Sequence, residues 1–184
     1  MKRKGISDVV ATVLILLITV AAVTVLAGYL IPFVKNNLSK STECIPYNDY
    51  FKFRQNFVNE SGTFRLNCYQ QGSGNYLIGT LIGVDQNTSG DVVGLEIVYK
   101  NDQQVDSRIV NISLGNLRTL GNLYVLDTSG SNVPTSGEDL EYVFNSTMQY
   151  NYTEVHPILS SGRLCDASDS IDLEPCQGGV NLGA

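Results

Sequence analysis

The sequence predicts an α+β chain, with one long apolar N-terminal helix followed by an antiparallel β-sandwich head. Three observations carry that reading. Val9 to Val34 is a run of 26 residues without a charge. After Lys40 the pattern changes to short β-rich runs separated by Gly, Asn, Asp and Ser clusters. All four cysteines, Cys44, Cys68, Cys165 and Cys176, fall in that second part. The chain of 184 residues is expected to divide into a basic stub at 1–5, an apolar helix at 6–40 and a β-rich head at 41–184, the last long enough for a hydrophobic core of its own.

The apolar run is expected to be helical because a lone segment in lipid must satisfy every backbone group internally. At 1.5 Å per residue it would span roughly 39 Å, more than the ~30 Å hydrocarbon core of a bilayer. It is apolar on all faces, as a helix buried all round in lipid or in a helical bundle would be. Small residues such as Ala21, Ala22 and Gly28 allow close helix approach. Pro32 removes a hydrogen bond to the carbonyl of Gly28, so a bend or helix end is expected between Gly28 and Phe33. Lys2, Arg3 and Lys4 precede the run. Three uses fit this order: a secretory signal cut after Ala27, an uncleaved anchor with the basic end inside, or a cut before the apolar run.

In the head, Tyr50–Phe57 and Thr63–Tyr69 alternate with a period of two around Glu60, Ser61 and Gly62 as a turn. Strand readings follow at Tyr76–Val84, Val92–Tyr99, Val105–Leu114, Leu123–Leu126, Leu140–Phe144 and Tyr150–Val155. Asn87–Gly90 and Asn101–Asp102 serve as breaks. Eight or so short strands of this kind read as an antiparallel sandwich or barrel.

Composition narrows the function. Residues 41–184 hold 7 Lys+Arg against 17 Asp+Glu, a net of −10, which disfavours nucleic-acid binding because phosphate contacts need clustered cations. The cysteine spacings of 24, 97 and 11 lack the close ligand pairs of a zinc site, and His156 is the one histidine, so disulfides in an oxidising compartment are expected. The spacing favours sequential pairing, Cys44 with Cys68 and Cys165 with Cys176, over a nested one. Six N-x-S/T sequons, at Asn37, Asn59, Asn87, Asn111, Asn145 and Asn151, are candidate glycan acceptors of an exported surface.

No catalytic set, metal site or cofactor is expected. His156 precedes Pro157 with no nucleophile or ligand pattern around it, and reads as a hydrogen-bonded structural residue. Asp166, Asp169, Asp172 and Glu174 lack the spacing and glycine of a calcium loop and read as a solvated acidic loop. Tyr47, Tyr50, Tyr69, Tyr142, Tyr150 and Tyr152 read as strand packing rather than as an adhesive aromatic surface.

Lys2, Arg3, Lys4 and Gly5 followed by Ile6-Ser-Asp-Val-Val-Ala-Thr-Val-Leu-Ile-Leu resemble the N-terminus of archaeal type IV pilin precursors, over about residues 1–38. The resemblance implies cleavage between Gly5 and Ile6 by a prepilin peptidase and retention of the helix as the core of a filament. It places assembly contacts on the segment carrying Asp8, Val9, Val10, Leu14, Leu17, Ala21, Ala22, Gly28 and Pro32. It also implies an immunoglobulin-like, often glycosylated head. The mature fifth position is Val10 where bacterial pilins place Glu, which points to the archaeal branch. The implied partners are further copies of the chain, the pilus assembly machinery and, before assembly, the membrane; nucleic acid is not among them, and a surface or glycan ligand is left open. Asp8 would sit at the positive end of the helix dipole, free to pair with a neighbour's new α-amino group. An adhesive, extracellular, non-enzymatic filament subunit is the expectation. A membrane-anchored solute- or sugar-binding module, an archaellin or minor pilin, and a secreted enzyme are the alternatives.

Overall fold

The computed structural model describes residues 5–55, 57–59, 62–64, 66–85, 91–111, 119–126 and 130–177. The chain divides into two compact units, Met1–Ile45 and Pro46–Ala184.

The first unit is one helix, α1 (Gly5–Thr42). It runs through Pro32 without ending, so of the bend or helix end expected between Gly28 and Phe33 the helix end is corrected. A proline interrupts only the bond to the preceding turn, and the apolar sequence on both sides has no other way to satisfy its backbone away from water. The hydroxyls of Thr12, Thr19 and Thr24 donate to the carbonyls of Val9, Leu16 and Ala21, each at 2.9 Å. These polar tips are thus satisfied within the helix, which keeps its surface uniformly apolar.

The second unit is β-rich. Its strands are β1 (Phe51–Phe53), β2 (Phe57–Asn59), β3 (Gly62–Phe64), β4 (Cys68–Gln71), β5 (Tyr76–Val84), β6 (Val92–Lys100), β7 (Val105–Asn111), β8 (Thr119–Leu120), β9 (Leu123–Leu126), β10 (Asp139–Ser146), β11 (Tyr152–Leu159), β12 (Asp169–Asp172) and β13 (Glu174–Pro175). Among the described residues one sheet has the order β13-β4-β5-β10-β9-β8, with β1 also on β5; a second has the order β12-β11-β6-β7; β2 and β3 form a separate hairpin. The expected all-antiparallel head is corrected on one point. β13 runs parallel to β4, and a parallel bridge joins Val84 to Ser136, so the first sheet is mixed.

Side chains alternate as a pleated strand demands. Ile78, Thr80, Ile82 and Val84 of β5, and Leu140, Tyr142 and Phe144 of β10, are buried, as are Leu95, Ile97 and Tyr99 of β6 and Thr153 and Val155 of β11. The two sheets meet where Tyr99 stacks on Phe144 with ring centroids 4.8 Å apart, and the Tyr99 hydroxyl lies 3.4 Å from Thr80 Oγ1. Burial pushes the Tyr99 phenol far above its ordinary pKa, so it remains neutral. Tyr142 and Tyr150 are fully buried and Tyr47 and Tyr50 nearly so, in keeping with strand packing.

The expected run Thr63–Tyr69 is divided between β3 and β4, and two further runs depart from their expected bounds for identifiable reasons. The run Tyr50–Phe57 is split because β1 and β4 share one edge of β5, pairing with Phe53↔Ile82 and Cys68↔Gly79 at their near ends. The gap between them is closed by the buried side chain of Asn67. Its Oδ1 accepts from Leu81 N–H at 2.9 Å and its Nδ2 donates to Arg54 C=O at 2.5 Å, so one amide stands in for a missing peptide of the ladder. β11 continues past Val155 through Pro157 to Leu159. Cys165 N–H donates to Pro157 C=O and Ser168 N–H to Val155 C=O, so these residues turn their backbone polar groups away from β6. The missing N–H of Pro157 therefore costs no bond of the β6 ladder.

Asn67→Ala is expected to lower stability by about 2 kcal/mol, because it strands two half-buried backbone groups at once. Urea unfolding of the full chain in micelles measures it. A loss below about 0.5 kcal/mol would mean that the edge of β5 closes without this amide.

Candidate functional site

The helix offers the largest candidate surface. Val9–Lys35 is 27 residues with a mean hydropathy of 2.9, the length and composition of a membrane anchor or of a signal sequence. Val9, Val10, Leu14, Leu17, Ala21, Ala22, Gly28 and Pro32 are all exposed, as are the other side chains of this stretch except the half-buried Ala27. Nothing lies within 4 Å of a Cβ built on Gly28, so the helix surface is dimpled there. Tyr29 and Phe33 stack one turn apart at 6.3 Å. The backbone of Gly5 and Ile6 belongs to the first helical turn. Residues 1–4 and the side chain of Asp8 lie outside the described residues.

In the head the disulfide expectation is corrected in its connectivity. All four cysteines are oxidised, but Cys68 bonds to Cys176 across 108 positions of sequence. That bond excludes both the sequential and the nested pairing and leaves the third. The reason is topological. β13 returns to lie beside β4, Pro175 opposite Tyr69, and Cys176 N–H donates to Tyr69 C=O at 2.9 Å, which brings the two sulfurs together.

His156 is hydrogen-bonded on both ring nitrogens. Its Nδ1 lies 3.1 Å from the Cys165 carbonyl and its Nε2 3.4 Å from Glu154 Oε2, while Lys100 Nζ pairs with the same carboxylate at 2.5 Å. Burial pushes the Glu154 carboxyl up, but Lys100 and His156 pull harder and leave it below its ordinary pKa. The four acidic residues 166–174 make no metal cluster among the described residues. Asp169 instead anchors β1, accepting from Phe53 N–H at 2.9 Å.

The sequons divide. Asn87 and the side chains of Asn37 and Asn59 lie outside the described residues, and Asn111 is half-buried. Asn145 is held by Asn75, whose Nδ2 donates to its Oδ1 at 2.8 Å. Asn151 is exposed.

Asn145 and Asn151 also mark a feature that the sequence reading missed. Two adjoining clefts of about 390 Å³ and 280 Å³ open at one end of the head, sharing Thr147 and Met148 as a common wall. The larger is formed by the β6–β7 turn and the segment between β10 and β11. Asn101 joins these two loops. Its Oδ1 accepts from the N–H groups of Gln103 and Gln104 at 2.9 and 2.6 Å, and its Nδ2 donates to Gln149 C=O at 2.6 Å. Asn101–Asp102 had been legible only as a turn. The crowding of Asn and Gln at 101–104 and 145–151 was the available signal, and turns use the same residue types.

No family model, curated protein or solved structure matches this chain.

Proposed function

We propose that the chain is the structural subunit of an extracellular type IV pilus-like filament, assembled through α1 after removal of residues 1–5 and serving surface adhesion. The observation that carries this reading is α1 itself, a 38-residue helix that carries no charge from Val9 to Val34 and whose side chains there, Ala27 excepted, are exposed. Such a helix is stable in lipid before assembly and among other helices afterwards. The exchange costs little hydrophobic free energy, because lipid tails and Leu side chains are similarly apolar. The basic stub ending in Gly5 supplies the cleavage signal for a prepilin peptidase. The two facing sheets support a sandwich head of the immunoglobulin-like kind that the resemblance implies, carried outside the cell and outside the filament core.

The test is the mass of the N-terminal peptide in filaments sheared from cells. A chain starting at Ile6 in polymeric material is expected. A Met1 start in membranes alone would replace this reading with a membrane-anchored binding module, which the polar clefts of the head favour as the second possibility. A start at Gly28 in the medium would make the helix a discarded signal.

A further inference from the structure

We propose that the larger cleft at the end of the head is a binding site for a neutral saccharide. Asp102, Gln103, Gln149 and Asn151 line it, and their side chains make no hydrogen bond or ion pair within the described residues. An amide presents a donor and an acceptor side by side, and a carboxylate adds strong acceptors. That is the complement of sugar hydroxyls, each of which both donates and accepts. Tyr76 and Met148, both half-buried, add an apolar wall for the C–H face of a pyranose ring.

The chemistry disfavours anions and divalent cations. Asp102 is the only charged residue of the lining, so an anion meets repulsion, and one carboxylate is too few for a hard divalent cation. The volume of about 390 Å³ falls in the range of ligand-binding clefts.

The site is also built in advance. Asn101 locks the β6–β7 turn to Gln149, and Asn151 N–H donates to Lys100 C=O at 3.2 Å while its carbonyl accepts from Leu173 N–H at 2.8 Å. The polar side chains therefore project from a fixed backbone, and little loop ordering is left for binding to supply.

A second observation points to the same class of ligand. The acceptor asparagine of the Asn151-Tyr-Thr153 sequon lies in this cleft, and that of Asn145-Ser-Thr147 in the adjoining one. The saccharide can thus come from outside or be a glycan attached to the head itself.

The inference stands apart from filament assembly, since it concerns only the head. The test uses the full chain made in a host without N-glycosylation, held in a detergent without a sugar headgroup. It is titrated by saturation-transfer NMR with neutral glucose, galactose, mannose and N-acetylglucosamine oligomers and with sialylated ones. At least one neutral oligomer is expected to bind. Gln149→Ala and Asp102→Ala should each weaken binding about tenfold with unchanged melting temperature. No neutral ligand, a preference for sialylated ones, or variants that bind as tightly as the parent would overturn the proposal. The mass of the Asn151 peptide from cells then separates the sources: a glycosylated peptide makes the cleft the seat of the chain's own glycan, a bare one assigns it to an external ligand.

Discussion

Phe144→Ala is expected to destabilise the head by about 3–5 kcal/mol, the range for removing a fully buried ring. Phe144 is wholly inaccessible and joins the two sheets. Tyr99 stacks on it from β6, Tyr150 leans against it at 6.0 Å, and the Arg108 guanidinium of β7 sits 4.5 Å from its ring centroid. Truncation removes the transfer free energy of the ring and leaves a void that neighbours on two sheets cannot jointly fill. It also withdraws the aromatic face beneath Arg108, whose Nε is already buried without an acceptor, leaving that charge to Asp106, 2.6 Å away, and the Ser107 carbonyl at 2.9 Å. Phe144→Leu keeps most of the volume and should cost less than half as much. Thermal and urea unfolding of both variants measure the difference. An alanine variant within about 1 kcal/mol of the parent would mean that the sheets are not held together through this cluster.

The elements legible in the sequence are those fixed by local pattern. β5 and β9 occupy Tyr76–Val84 and Leu123–Leu126 as read, because a short apolar run set off by turn residues needs no distant partner to define it. Turn glycines Gly74 and Gly162 adopt φ of 96° and 79°, which side-chain-bearing residues avoid. What could not be read depends on residues remote in sequence. β11 passes through Pro157 only because the missing N–H falls on the side away from β6. Cys68 meets Cys176 only because β13 turns back along β4. The cleft exists only because Asn101 joins a turn to a segment 48 residues away, and both pieces look like ordinary loops on their own. The helix shows the converse limit: its existence was plain from composition, but its passage through Pro32 was decided by how little an isolated proline disturbs a long apolar helix.

Ala22→Arg is expected to abolish filaments while leaving the head folded. Ala22 is the midpoint of Val9–Lys35, so an arginine there is as far as this helix allows from either wet end. A cation at the centre of a membrane helix costs about 2.5–3.5 kcal/mol on insertion scales, on the order of a hundredfold in partitioning. In a packed core of identical helices the charge would recur on every subunit, and the segment from Val9 to Val34 carries no anion to pair with it. Ala22→Leu separates the two environments. It suits lipid as well as alanine does, so precursor levels in the membrane should hold, but it bulks a position where small side chains allow close helix approach, and filament yield should fall. The melting temperature of the head should be the same in all three proteins, because this stretch of α1 is exposed and lies in a separate unit. Electron microscopy of sheared fractions beside immunoblots of membranes reads both quantities. Wild-type numbers of filaments with Ala22→Arg would remove α1 from the polymer core and, with it, the observation on which the filament reading rests.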